Sequence, residues 1–110
     1  MHVLVTGSAG RVGRRVVQLL RARGDSVTGF DLHPLGLDDP SYREVIGGFE
    51  DRAAVDRAIK DADAVLHLGA YMSWLPAHAA KVYEANATGT FHLLAAAAAA
   101  KVRRFVLAST

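Results

Sequence analysis

Three glycines in the run TGSAGRVG, Gly7, Gly10 and Gly13, and a single acid downstream, Asp31, are the residues whose types and spacing point to chemistry. A glycine turn lets the backbone approach a bulky anion, because no Cβ stands in the way. A helix starting at that turn aims its free N–H groups and positive dipole end at the anion. The same glycines would also suit a strand-to-helix turn that needs them only for packing. Context separates the two. The apolar run HVLVT precedes the turn, the amphipathic run RVGRRVVQLLRAR follows it, and Asp31 closes the next β-rich run. Asp31 lies roughly 20 residues past the turn, close to the spacing at which a carboxylate accepts hydrogen bonds from a ribose. In register, these parts point to a dinucleotide with its pyrophosphate at the turn and its adenosine ribose at Asp31. A carboxylate in that place repels a 2′-phosphate, so the expectation is NAD rather than NADP, with His33 and Arg52 as the nearby bases able to soften the preference. A second feature is VRRFVLAST, a buried-strand pattern that delivers two hydroxyls, Ser109 and Thr110, to the rim of a sheet.

Short β-branched runs alternate with helical patterns along the chain, as they do in βαβ units and parallel sheets. Strands are expected at 2–6, 26–30, near 43–47, at 63–68 and at 104–108. The first helix is expected over 11–23, with Val12, Val16, Leu19 and Leu20 on its packed face. The stretch 31–42 carries the punctuation of a loop, Asp51 suits the N-cap of a helix over RAAVDRAIK, and a long helix falls within 76–100. The fold class is therefore α/β, a Rossmann-type parallel sheet of order 3-2-1-4-5 with helices on both faces, forming one dinucleotide-binding domain over 1–110.

Composition narrows the functions open to such a domain. With 13 basic and 11 acidic side chains the net charge is +2, too small to sustain the positive field that nucleic-acid binding needs. No apolar run approaches the roughly 18 residues of a membrane span, so a cytoplasmic protein without a membrane partner is expected. There is no cysteine, hence no thiol nucleophile, and His2, His33, His78 and His92 show no metal-ligand spacing. His67 reads as a packed core histidine and the arginines of the first helix as a solvated face, Arg11 excepted. Gly89 lies inside a helix, where it costs about 1 kcal/mol relative to alanine, which points to a close backbone approach.

The spacing G-x-x-G-x-x-G of Gly7, Gly10 and Gly13 resembles the short-chain dehydrogenase/reductase superfamily. DAVLHLGA, NATGTFHLLAAA and VRRFVLAST are similar to three ordered motifs of its extended members, the NAD-dependent epimerase/dehydratase family. The resemblance covers essentially the whole chain. It implies that Gly7, Gly10, Arg11, Val12 and Gly13 line the pyrophosphate, that Asp31 and the adjoining Leu32 meet the adenosine, and that Leu68, Gly69, Ala70 and Tyr71 pass the cofactor at the mouth of strand four. It implies further that Asn86 reaches the site from the long helix, and that Thr110, with Ser109 as the fallback, is the catalytic hydroxyl. One departure stands out. Where the family usually writes Gly-Asp after strand three, the Asp contacting adenine, this chain has Gly47-Gly48-Phe49, leaving Phe49 only its backbone and ring.

The family's acid/base pair, Tyr-x-x-x-Lys, is not in this sequence: four residues after Tyr42, Tyr71 and Tyr83 stand Ile46, Leu75 and Ala87. The chain is thus expected to be the cofactor-binding portion of a longer enzyme, its sheet cut after strand five. The parent is expected to move hydride between nicotinamide and a sugar or nucleotide sugar, as epimerase, dehydratase or dehydrogenase. The alternative is a regulator that senses dinucleotide without turnover. YMSWLP (71–76) either meets substrate or packs on the core. The long helix, with Ala87 and Gly89 allowing close approach, is expected to pair with its twofold mate in a parent homodimer.

Overall fold

In the computed structural model, which describes residues 1–109, five parallel strands form one sheet in the order β3-β2-β1-β4-β5. The strands are β1 (His2–Thr6), β2 (Ser26–Asp31), β3 (Tyr42–Ile46), β4 (Ala64–His67) and β5 (Arg104–Leu107). β1 is central because both of its faces are apolar: Leu4 points to one side, Val3 and Val5 to the other, and all three are buried. Its register pairs Val5 with Gly29 of β2 and with Leu66 of β4. Strand order, parallel pairing and the two-sided helical cover all follow the sequence expectation.

Helix α1 (Arg11–Ala22) covers one face, its Val17 packing with Val3, Val5, Val27 and Tyr42. Here the expected helix face was wrong. Val12 and Leu19 are 63% and 52% exposed, and the packed stripe is instead Gly13, Val16, Val17 and Leu20. The close approach of Gly13 to the turn sets the helix rotation, and with it the side that carries apolar side chains inward.

The opposite face is covered by α2 (Arg52–Ile59) and by a long helical segment. Asp51 caps α2 as expected, its Oδ1 accepting from the N–H groups of Ala53 at 3.1 Å and Ala54 at 3.3 Å. The long segment is not one uniform helix. A 3-10 turn at Pro76–His78 leads into α3 (Ala79–Tyr83), a π-helical turn spans Glu84–Thr88, and α4 (Gly89–Ala99) completes it. Leu93, Ala96 and Ala97 of α4 pack with Leu4, Phe30 and Val65. Gly89 is buried because it meets Phe49, whose Cβ occupies the space that a side chain at 89 would need. Gly89 therefore serves packing within its own protomer and cannot be the small residue of a helix-to-helix contact between protomers.

Candidate cofactor site

At the carboxyl ends of β1 and β2 the chain turns from sheet to helix around Gly7, which adopts φ +68°. Only glycine adopts that angle freely. The turn is closed by hydrogen bonds from Gly7 N–H to Phe30 O at 2.9 Å and from Gly10 N–H to Gly7 O at 3.0 Å. It is also crowded. A Cβ on Gly7 would lie 2.8 Å from Gly69 Cα, and one on Gly13 would overlap Gly7 O. What remains open in front of the turn is backbone N–H and the start of α1, a cradle for an anion. Arg11 and Val12 stand exposed at that start, while Arg14 turns back to donate to Ala9 O at 2.8 Å.

Asp31 is held rather than free. Its Oδ2 accepts from Ala9 N–H in the glycine turn and its Oδ1 from His33 N–H, both at 3.0 Å. These bonds orient the carboxylate against the turn and leave further lone pairs for a ligand's hydroxyls. A cavity of about 300 Å³ opens beside it. Of the residues expected at the cofactor, Gly7, Asp31, Leu32, Phe49, Gly69, Ala70 and Tyr71 line this cavity. Leu68 does not, since its side chain packs toward the α1 face. The cavity also takes in Gly47, Gly48, Glu50, Lys81, Glu84 and Ala85, none of which the sequence pattern singled out as cofactor residues. The spacing of Lys81, Glu84 and Ala85, which places all three on one helical face, was the available signal.

Asn86 reaches the site by clamping a peptide. Its Oδ1 accepts from Tyr71 N–H at 2.8 Å and its Nδ2 donates to Tyr71 O at 2.9 Å. The π-helical turn around Asn86 presents its own carbonyl to the Thr90 hydroxyl at 2.6 Å. From there a buried chain runs inward, with His67 Nε2 3.0 Å from Thr90 Oγ1 and His67 Nδ1 2.6 Å from Thr6 Oγ1. The Thr6 oxygen already accepts from the N–H groups of Leu68 and Gly69 at 3.1 and 3.0 Å, so its proton goes to His67 Nδ1. Thr90 gives its proton to the Asn86 carbonyl, so it accepts from His67 Nε2–H. His67 is thus a neutral imidazole with its proton on Nε2, and burial holds its pKa down at about 4. It is the core histidine that was expected, and it also ties the backbone at the mouth of β4 to the helix that carries Asn86.

A second cavity, of about 220 Å³, adjoins the first and is lined by His67, Gly69, Ala70, Asn86, Thr90 and Ser109 among others. Ser109 therefore faces the same mouth as Asn86. Thr110 lies outside the described residues. The YMSWLP stretch does not pack on the core, as Met72, Trp74 and Leu75 are 75%, 94% and 60% exposed beside the cavity.

Residues 3–110 match the NAD dependent epimerase/dehydratase family. The chain belongs to that family. Among solved structures, a short-chain dehydrogenase/reductase superfamily protein from Agrobacterium tumefaciens with bound NAD is 54% identical and superposes with a TM-score of 0.93, covering 100% of this chain and 33% of that one. Among curated relatives, sterol demethylase protein B of Methylococcus capsulatus is 30% identical across 100% of this chain and 34% of its own length. UDP-glucose 4-epimerase of Lactobacillus helveticus is 35% identical across 100% of this chain and 36% of its own. The chain thus spans about a third of the length of these epimerase/dehydratase relatives.

Proposed function

We propose that this chain is the cofactor-holding portion of an NAD-dependent oxidoreductase, epimerase or dehydratase whose substrate is a sugar or nucleotide sugar. The observation that carries the reading is the glycine turn, crowded against Gly69 and open only to backbone N–H, with Asp31 bonded to Ala9 of that same turn. The turn and the start of α1 take the pyrophosphate, Asp31 takes the adenosine ribose, and Gly69, Ala70 and Tyr71 bound the path toward the second cavity. NAD, when bound, supplies a hydride acceptor or, reduced, a hydride donor. Asn86 sets the Tyr71 peptide, and Ser109 with its neighbour Thr110 offers hydroxyls to a substrate oxygen at the second cavity. The exposed Trp74 suits the C–H face of a pyranose ring.

Calorimetry on the full-length parent with NAD and NADP tests the cofactor half of this reading. Turnover assays against uronates, nucleotide sugars and a sterol test the substrate half. Oxidation or epimerisation of a sugar supports the proposal, whereas turnover of the sterol alone replaces the substrate class. Tight NAD binding with no turnover of any substrate would favour the dinucleotide-sensing regulator.

A further inference from the structure

We propose that Glu50 recognises the adenine base of the dinucleotide, its carboxylate accepting a hydrogen bond from the exocyclic 6-amino group. The inference rests on reading the larger cavity as the dinucleotide site. With the pyrophosphate at Gly7 and the ribose at Asp31, the base must continue along the sheet toward β3. Gly47 N–H donates to Asp31 O at 3.0 Å, so the end of β3 is the next surface that a base would meet. The cavity wall there is apolar, contributed by Leu32, Phe49 and Ala85, and suits a flat ring.

At this wall the Glu50 carboxylate turns back over Gly48. Both of its oxygens fill the space that a side chain at 48 would occupy. The missing side chain at 48 is what admits the longer one from 50. The reversal is fixed by Asp51, whose N–H donates to Gly48 O at 3.2 Å while its carboxylate caps α2. Glu50 makes no ion pair among the described residues, so its charge is available to a ligand. An ionised carboxylate only accepts hydrogen bonds. At the end of an apolar slot it favours a base that presents N–H and opposes one that presents a carbonyl in the same place. The acid absent from position 48 is thus replaced from position 50.

The test is calorimetric titration of the full-length parent with NAD and with nicotinamide hypoxanthine dinucleotide, in which a carbonyl replaces the 6-amino group. The wild type should prefer NAD by roughly tenfold or more, the value of one hydrogen bond to a charged group. Glu50→Ala should weaken NAD by that factor and erase the preference, and Glu50→Ala combined with Gly48→Asp should restore it. Glu50 is exposed, so these variants are expected to fold. A wild type that binds both dinucleotides equally overturns the inference alone. So does a Glu50→Ala protein that keeps the preference, or its loss in Glu84→Ala instead. A wild type that binds neither dinucleotide overturns the reading of the site itself.

Discussion

Asp31 and His67 show how the partners of a side chain determine what it can do. Because Ala9 and His33 orient the Asp31 carboxylate, it meets ribose hydroxyls without reorganising and opposes a 2′-phosphate. Asp31→Ala should therefore weaken NAD by roughly ten- to a hundredfold while leaving NADP unchanged or tighter. Titration of both cofactors checks this. Gly13→Ala places a methyl on Gly7 O and should cost about 1–3 kcal/mol of stability, together with the anion cradle. Denaturant midpoints measure the first effect and NAD titration the second. His67 predicts a pH dependence. Its native pKa is about 4, below the ordinary 6.5, so between those values the unfolded chain binds a proton that the native one does not. Stability therefore falls as pH drops through that window, by up to about 1.4 kcal/mol per pH unit and about 3 kcal/mol in total. Comparing denaturant midpoints of wild type and His67→Gln from pH 7 to 4 should show a shallower slope in the variant.

At the scale of elements, the β-branched strands and the Asp51 cap follow local rules, and Asp51→Ala should cost about 1 kcal/mol with little effect on NAD affinity. The long helical segment obeys tertiary demands instead. Its π-helical turn offsets α3 from α4, letting Asn86 reach Tyr71 while Gly89 still lies on Phe49. π-helical turns concentrate at functional sites because the extra residue frees a carbonyl, here the one that accepts from Thr90. Helical periodicity placed a long helix within 76–100, but the interruption depends on contacts with residues 49, 67 and 71, which no local window contains.

For the whole molecule, the outer side of the long segment exposes Tyr83, Phe91 and Leu94 at 71%, 66% and 46%, with Ala87 between them. We propose this stripe, without Gly89, as the homodimer surface of the parent. Sedimentation should show a dimer at micromolar concentration that Phe91→Asp converts to monomer. β5 is an edge strand whose Val106 and Leu107 are about half exposed, at 53% and 49%. Exposed apolar edges favour association, so residues 1–110 expressed alone should aggregate readily. The same piece should show no dehydrogenase or epimerase turnover while a parent carrying Tyr-x-x-x-Lys turns over, as NADH absorbance and an epimer-resolving assay would report. Turnover by the piece that Thr110→Ala abolishes would place the acid/base machinery within this chain.

The sequence by itself determined the strand order, the glycine turn, Asp31 and the family, because each depends on local periodicity or on spacing along one βαβ unit. Only the tertiary structure decided which stripe of α1 packs, since Val12 and Leu19 are as apolar as Val16 and Leu20 and differ only in how Gly13 seats the helix. It alone brought Glu50, Lys81 and Glu84 to the cavity of Asp31, and joined Thr6, His67, Thr90 and Asn86 in one proton-ordered chain. Those residues come from different strands, turns and helices. Their partnership exists only once the sheet has stacked its carboxyl ends side by side.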